Sequence, residues 1–224
     1  MIKLDTLRDT HSDVLDRSDV TRILYTIGHS IHGLERFVEL LRAHGVSAIG
    51  DVRSQPYSRR SPHFNREALR VELERQGIAY VFLGDALGGR AADPDCYDHG
   101  RVDYQRVAAT PAFRQGLERL AKGVEKFTVA LLCAEKDPLS CHRTILVCRN
   151  MRTSDLSIRH ILSDGRVEPH DATEMRLLQM VSLPQDDLFT EPAELLERAY
   201  DLRGQEIAYV IPDAGAAVPA IEAR

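Results

Sequence analysis

Two thiols, two carboxylates, an imidazole and a guanidinium fall within one stretch, Cys133-Ala134-Glu135-Lys136-Asp137-Pro138-Leu139-Ser140-Cys141-His142-Arg143. The apolar run Phe127 to Leu132 reads as a buried strand, and a helix is expected from about Cys141 to Met151. The reactive groups therefore sit at a strand-to-helix junction. Three chemistries fit. Cys133 can be a small packing residue that closes a core strand. Cys133, Cys141 and His142 can hold a divalent metal of the zinc or iron kind, completed by His160, Cys96 or His99, although C-x7-C-H is not a zinc-ribbon spacing. Cys141 can be a reactive thiolate, because a helix N-terminus and a neighbouring arginine both lower a thiol's pKa. A Cys133–Cys141 disulfide would be its oxidised form. The pattern favours a pocket thiol over a closed metal site and leaves the cofactor open. Cys148 reads as core and Cys96 as incidental to a polar loop.

Other polar groups follow other apolar runs. Gly28-His29-Ser30 follows Ile23 to Ile27, Asp51-Val52-Arg53 ends Val46 to Val52, and Leu87-Gly88-Gly89-Arg90 comes after Ile78 to Leu83. In a parallel sheet all of them would meet Cys133 and Glu135 at the carboxyl edge, where open α/β sheets bind ligands. His29 titrates near neutrality and is a candidate for proton transfer, or a capping element with Ser30. Asp51 would orient Arg53, hold one tautomer of His29 or act as a base. Arg53, Arg59, Arg60 and Arg66 occur with no acid among them, interleaved with Ser54, Ser58 and Ser61. Guanidinium forks and hydroxyls suit phosphate oxygens. Arg143, beside a helix N-terminus, would extend the anion cradle. Ion pairing with Glu67, Glu72 or Glu74 is the alternative for Arg60 and Arg66. The candidate catalytic residues are His29, Asp51, Cys133, Glu135 and Cys141. Ser30, Arg53, Ser58, Arg59, Gly88, Gly89, Arg90, His142 and Arg143 are candidate ligand contacts.

The elements that must position these groups alternate strand-like and amphipathic. Leu34, Phe37, Val38 and Leu41 share a helical face that stops at Gly45, and Asn65 is placed to cap a second helix that stops at Gly77. Gly84 to Ala109 reads as a long polar loop, and Thr110-Pro111 as a helix start. Further on, Ser157 to Leu162 reads as a strand turning at Asp164-Gly165, Asp171 to Glu174 as a capping box, and Thr190 to Tyr200 as a helix. The expected fold is three-layer α/β, a mainly parallel sheet flanked by helices with a small C-terminal α/β extension. The expected division is a flexible segment over 1–20, a core over 21–170, a helical extension packed on it over 171–212, and a tail over 213–224.

Taken together, Tyr25-Thr26-Ile27-Gly28-His29-Ser30, Asp51-Val52-Arg53 with Pro56, Leu87-Gly88-Gly89-Arg90, and Leu132-Cys133-Ala134-Glu135 with Cys141-His142-Arg143 resemble the domain of unknown function 488 family. The resemblance runs from about Ile23 to Gly165. It implies an α/β sandwich-like core and a shared pocket, and no established activity.

Composition narrows the function classes. The chain has 224 residues, 43% of them hydrophobic, and a formal net charge of -5, so an anion site has to be local. No apolar run spans a membrane, and the charged start of the chain resembles neither signal peptide nor anchor, so a cytoplasmic protein with reduced cysteines is expected. Neither a Walker A pattern nor G-x-G-x-x-G occurs. The nine residues between Cys133 and Arg143 make too long a loop for a cysteine phosphatase or sulfur-transfer enzyme. The leading expectation is an enzyme, hydrolase or transferase, acting on a phosphate-containing small molecule or nucleic-acid end. The alternatives are a non-catalytic nucleotide or nucleic-acid binding module and a cysteine-based metal or redox sensor. Oligomeric state is left open.

Overall fold

β1 (Arg22–Gly28), β2 (Ala48–Asp51), β3 (Ala79–Phe82) and β6 (Val129–Cys133) are the four strands whose ends carry the candidate site in this computed structural model. The structure describes residues 22–153, 155–181 and 191–212. The expected N-terminal segment 1–20 and tail 213–224 lie outside the described residues. Between β3 and β6 come a two-stranded hairpin of β4 (Tyr97–Asp98) and β5 (Arg101–Val102). After β6 follow β7 (Leu156–Ile161) and β8 (Val167–Pro169). The main sheet has six strands in the order β3-β2-β6-β1-β7-β8, parallel except for β8. Gly28 pairs with Cys133, and Asp51 with Leu132 and Phe82, so four strand ends and their successors come level at one edge.

Alternation along the strands builds two cores. Tyr25, Ile27, Ile49, Ala130 and Leu132 face α1 (Leu34–Ala43) and α2 (Arg66–Arg75) through Phe37, Leu41, Leu69 and Leu73. Leu24, Ala48, Val129 and Leu131 face the opposite layer. That layer holds α3 (Gly84–Leu87), α4 (Tyr104–Ala109), α5 (Pro111–Val124) and a helix that begins as one π-type stretch, Arg143–Cys148, and ends as α6 (Arg149–Met151). Full burial of each such aliphatic side chain is worth about 1.5–3 kcal/mol. This is the three-layer α/β arrangement expected. A smaller cluster joins Leu139 and Ile145 to α7 (His170–Met180) and α8 (Pro192–Ile207) through Leu177, Ala199 and Tyr200. No helix among the described residues is long and apolar enough to cross a membrane.

Several local expectations change. Gly84–Ala109 is not an open loop, because two of its acids are caps: Asp93 accepts from the Asp95 N–H, and Asp103 from those of Gln105 and Arg106. Cys96 is consequently buried rather than incidental. Asn65 does not cap α2 with its side chain, which instead accepts from the Ser58 N–H. α7 starts at His170 behind Pro169, and Asp171 accepts only from its neighbour Ala172, so no capping box forms. α8 begins at Pro192, and Thr190 lies outside the described residues.

His160 is not part of the cysteine cluster. Its Nδ1 lies 2.8 Å from Thr26 Oγ1 and its Nε2 lies 2.9 Å from His170 Nδ1, and Tyr200 bridges His170 to Glu174. Burial holds the pKa of His160 well below its ordinary 6.5, and that of His170 is lowered for the same reason. Below that pH the unfolded chain therefore binds protons that the folded protein refuses. Stability should fall as pH drops from 6.5, by up to about 1.4 kcal/mol per pH unit for each histidine. Urea midpoints between pH 7 and about 5 test this. A flat profile over that window, or a slope unchanged in His160→Asn, would contradict it.

Candidate functional site

Gly28 ends β1 where a side chain is impossible. A Cβ there would lie 1.8 Å from the Glu135 carbonyl oxygen. The close approach lets the chain continue the ladder past β1: His29 N–H donates to the Cys133 carbonyl and Ser30 N–H to that of Ala134. His29 turns its ring onto Phe64, stacked with centroids 4.3 Å apart. Burial, reinforced by the Arg53 charge, lowers its pKa to about 4, so it is a neutral imidazole near pH 7.

Asp51, at the end of β2, is fully buried and grips Arg53 from three directions. The Arg53 backbone N–H and Nε donate to Oδ1 at 3.1 and 2.9 Å, and Nη2 donates to Oδ2 at 2.6 Å. The Tyr80 hydroxyl donates to the same carboxylate at 2.6 Å. Asp51 thus orients Arg53, the first of the roles expected for it. Beyond β3, the Arg90 N–H donates to Ser54 Oγ and Arg90 Nη1 to Gln55 Oε1. The Arg90 guanidinium lies 4.2 Å over the Tyr209 ring.

The thiols meet behind this wall. Cys133 Sγ lies 2.9 Å from Glu135 Oε2 and 3.7 Å from His142 Nδ1, and Cys141 Sγ lies 4.0 Å from the same nitrogen. His142 Nε2 lies 2.8 Å from the Val52 carbonyl oxygen. Burial and the neighbouring Cys141 sulfur push the Cys133 thiol up. Burial also opposes a Cys141 thiolate, but the Cys133 S–H and the Arg143 guanidinium outweigh it and hold Cys141 well below the usual thiol range. Cys148 is buried and raised, a core residue.

A cavity of about 270 Å³ brings Arg53, Gly89, Arg90, Cys133, Glu135, Cys141 and His142 together. Gly89 permits this: a Cβ would stand 2.9 Å from His142 Cγ. Gly89→Ala should therefore displace the His142 ring and lower stability by about 1–3 kcal/mol, the cost of overpacking. An unchanged denaturation midpoint would show that the ring has room to move.

Other expected site residues are not in the cavity lining. Arg143 is the main correction. It is wholly buried, and its guanidinium donates to the carbonyls of Glu135 and Lys136 and to Thr26 Oγ1, so it braces the turn after β6 rather than facing a ligand. Ser58 Oγ accepts from the N–H groups of Arg60 and Ser61 outside the cavity lining, and Arg59 is exposed outside the cavity. His29, Ser30 and Gly88 lie nearby without lining it, and Asp51 is behind Arg53. His99 is exposed on the β4–β5 turn, and neither it nor Cys96 joins the cysteines. Ser54, one of the loop hydroxyls expected to suit an anion, does line the cavity, and Gln55, Tyr104, Ser140, Ile207 and Tyr209 line it unforeseen. Tyr209 arrives because its carbonyl accepts from Val102 N–H, while Val210 bridges Arg101. The short apolar run Ala208 to Ile211 was its only sequence signal.

A family model, domain of unknown function DUF488, matches residues 33–149, just over half of the chain. The chain belongs to this family. The DUF488 match contains Asp51, Arg53, Gly89, Arg90 and the whole run Cys133 to Arg143, and it excludes Gly28, His29 and Tyr209. No curated protein and no solved structure matched the chain.

Proposed function

We propose that this cavity is an active site and that the protein is a hydrolase or transferase acting on a phosphate-bearing ligand, a nucleotide or a nucleic-acid end. One observation carries the reading: anion-binding groups, Arg53 and Arg90, and reactive groups, Cys133, Glu135, Cys141 and His142, line the same space. Asp51 takes Nε and Nη2 of Arg53, so Nη1 is the nitrogen left to meet a ligand oxygen. Among the described residues Arg90 has no carboxylate partner of this kind, and it is the stronger anion contact. Ser54 and Gln55 extend the donors at the same wall.

Size refines the ligand. At about 270 Å³ the cavity is smaller than the roughly 300–1,000 Å³ typical of a whole small-molecule site, so it takes the reacting end of a ligand whose remainder lies outside. Glu135 is the group best placed to move a proton. His29 supports the β1 turn against Phe64 and is a positioning residue in this reading. A site built on free thiols works in a reducing compartment, and the reading places the protein in the cytoplasm.

The test is turnover. Nucleotides and oligonucleotides with 5′- or 3′-phosphates are incubated with the protein and followed by mass spectrometry. Conversion of one class is expected, with Glu135→Gln lowering kcat by about 10²–10⁴-fold, the range for a lost general acid or base. Tight binding with every ligand returned unchanged would instead make the protein a binding module.

A further inference from the structure

The donor atoms of Cys133, Cys141 and His142 all lie within 4.8 Å of one another. Nδ1 is 3.7 Å from one sulfur and 4.0 Å from the other. With metal–sulfur bonds of about 2.3 Å and metal–nitrogen bonds of about 2.0–2.1 Å, two ligands on one tetrahedral zinc are about 3.6 Å apart. The two nitrogen–sulfur edges already stand near that spacing, and the sulfur–sulfur edge, within 4.8 Å, closes by a contraction of at most about 1 Å.

The imidazole is also set in the required tautomer. The Val52 carbonyl can only accept, so Nε2 carries a proton, and in the neutral ring Nδ1 presents its lone pair to both sulfurs. A ring N–H fixed by a backbone carbonyl is the arrangement that orients metal-bound histidines. A hydrogen-bonded thiol would need only one sulfur at Nδ1, whereas here two converge. All three residues line the cavity, which leaves one side of the triangle for an exogenous ligand.

We propose that Cys133, Cys141 and His142 bind one thiophilic divalent ion of the zinc class, with its remaining coordination position open to the cavity. On binding, Cys141 enters as a thiolate, Cys133 gives its proton to the Glu135 carboxylate 2.9 Å away, which passes it through the open cavity to solvent, and each sulfur lone pair forms a bond to the ion. Nothing is oxidised. Any catalytic use of the ion rests on the active-site reading above, but its binding does not. Three protein ligands and one open position are the pattern of catalytic rather than structural zinc.

The experiment uses the full chain, reduced, stripped with a chelator and titrated with Co²⁺ and then Zn²⁺. One equivalent of cobalt is expected, with thiolate-to-cobalt charge-transfer absorption and the intense visible bands of a tetrahedral ion, both lost when zinc displaces it. Cys133→Ser, Cys141→Ser and His142→Ala should each weaken binding by more than the roughly 10–100-fold that a lost outer-shell partner costs, while Cys148→Ser should not. The wild-type spectrum decides the matter even where a variant fails to fold. Substoichiometric cobalt, or cobalt bound without charge-transfer absorption, overturns the proposal. Stoichiometric thiolate-bound cobalt in a protein that turns over no phosphate ester supports the metal site and removes the active-site reading. Turnover by a protein that binds no cobalt does the reverse.

Discussion

Arg143→Ala should lower folding stability by about 3–5 kcal/mol, the range for removing one member of a buried charged network. In a chain of this size each kcal/mol moves Tm by about 2–4 °C, so the midpoint should fall by about 6–20 °C. The cause is local. The side chain is wholly buried, and its loss would strand the Glu135 and Lys136 carbonyls beside a void. Arg143→Lys keeps the charge but cannot reach both carbonyls and Thr26 Oγ1 with one ammonium, so it should recover only part of the loss. Calorimetry on the three proteins measures this. A variant that melts normally but binds phosphate ligands poorly would mean that the guanidinium serves the cavity after all.

Arg53→Ala should be similarly costly, about 3–5 kcal/mol, because it leaves the fully buried Asp51 carboxylate held only by Tyr80 and one backbone N–H. Converting Asp51 to Asn in the same chain removes the stranded charge. The double variant should therefore be more stable than Arg53→Ala alone, a non-additivity expected of contacting residues. His29 supplies a second readout. Arg53 is one cause of its low pKa, so the pKa should rise from about 4 in Arg53→Ala, with burial still holding it below 6.5. NMR titration of the ring follows it. Additive stabilities together with an unmoved His29 would dissolve the proposed Asp51–Arg53–His29 coupling.

The sheet and its edge were legible because strand ends carry their own signal. Apolar runs led into Gly28-His29, Asp51-Val52-Arg53 and Cys133-Ala134-Glu135, and parallel register brings those ends level. What the polar residues do there was less legible. A cation at a helix N-terminus reads as half of an anion cradle, yet the helix dipole opposes it, and Arg143 is instead satisfied by carbonyls of a turn eight residues earlier. Ser58 reads as a phosphate donor, yet its Oγ accepts from two N–H groups of its own loop and it does not line the cavity. Tyr104, Ile207 and Tyr209 were invisible because their place depends on a bridge between Arg101 and Val210, remote in sequence and without a motif. Cys133, Cys141 and His142 were legible as one possible ligand set, but their geometry was not: the element that fixes His142 is the Val52 carbonyl, a backbone atom on another strand's exit.

The central claim is that this cavity receives a phosphate group, and Arg90 tests it most directly. Its side chain lies at an exposed rim, bonded to Gln55 and stacked on Tyr209, so Arg90→Ala should leave the denaturation midpoint nearly unchanged. Calorimetric titration with pyrophosphate and a nucleoside 5′-monophosphate should show binding to the wild type. In Arg90→Ala it should be weaker by about 10- to 150-fold, the equivalent of about 1.5–3 kcal/mol for hydrogen bonds to a charged group. Equal affinity in the two proteins, or no phosphate binding by the wild type, would contradict the account.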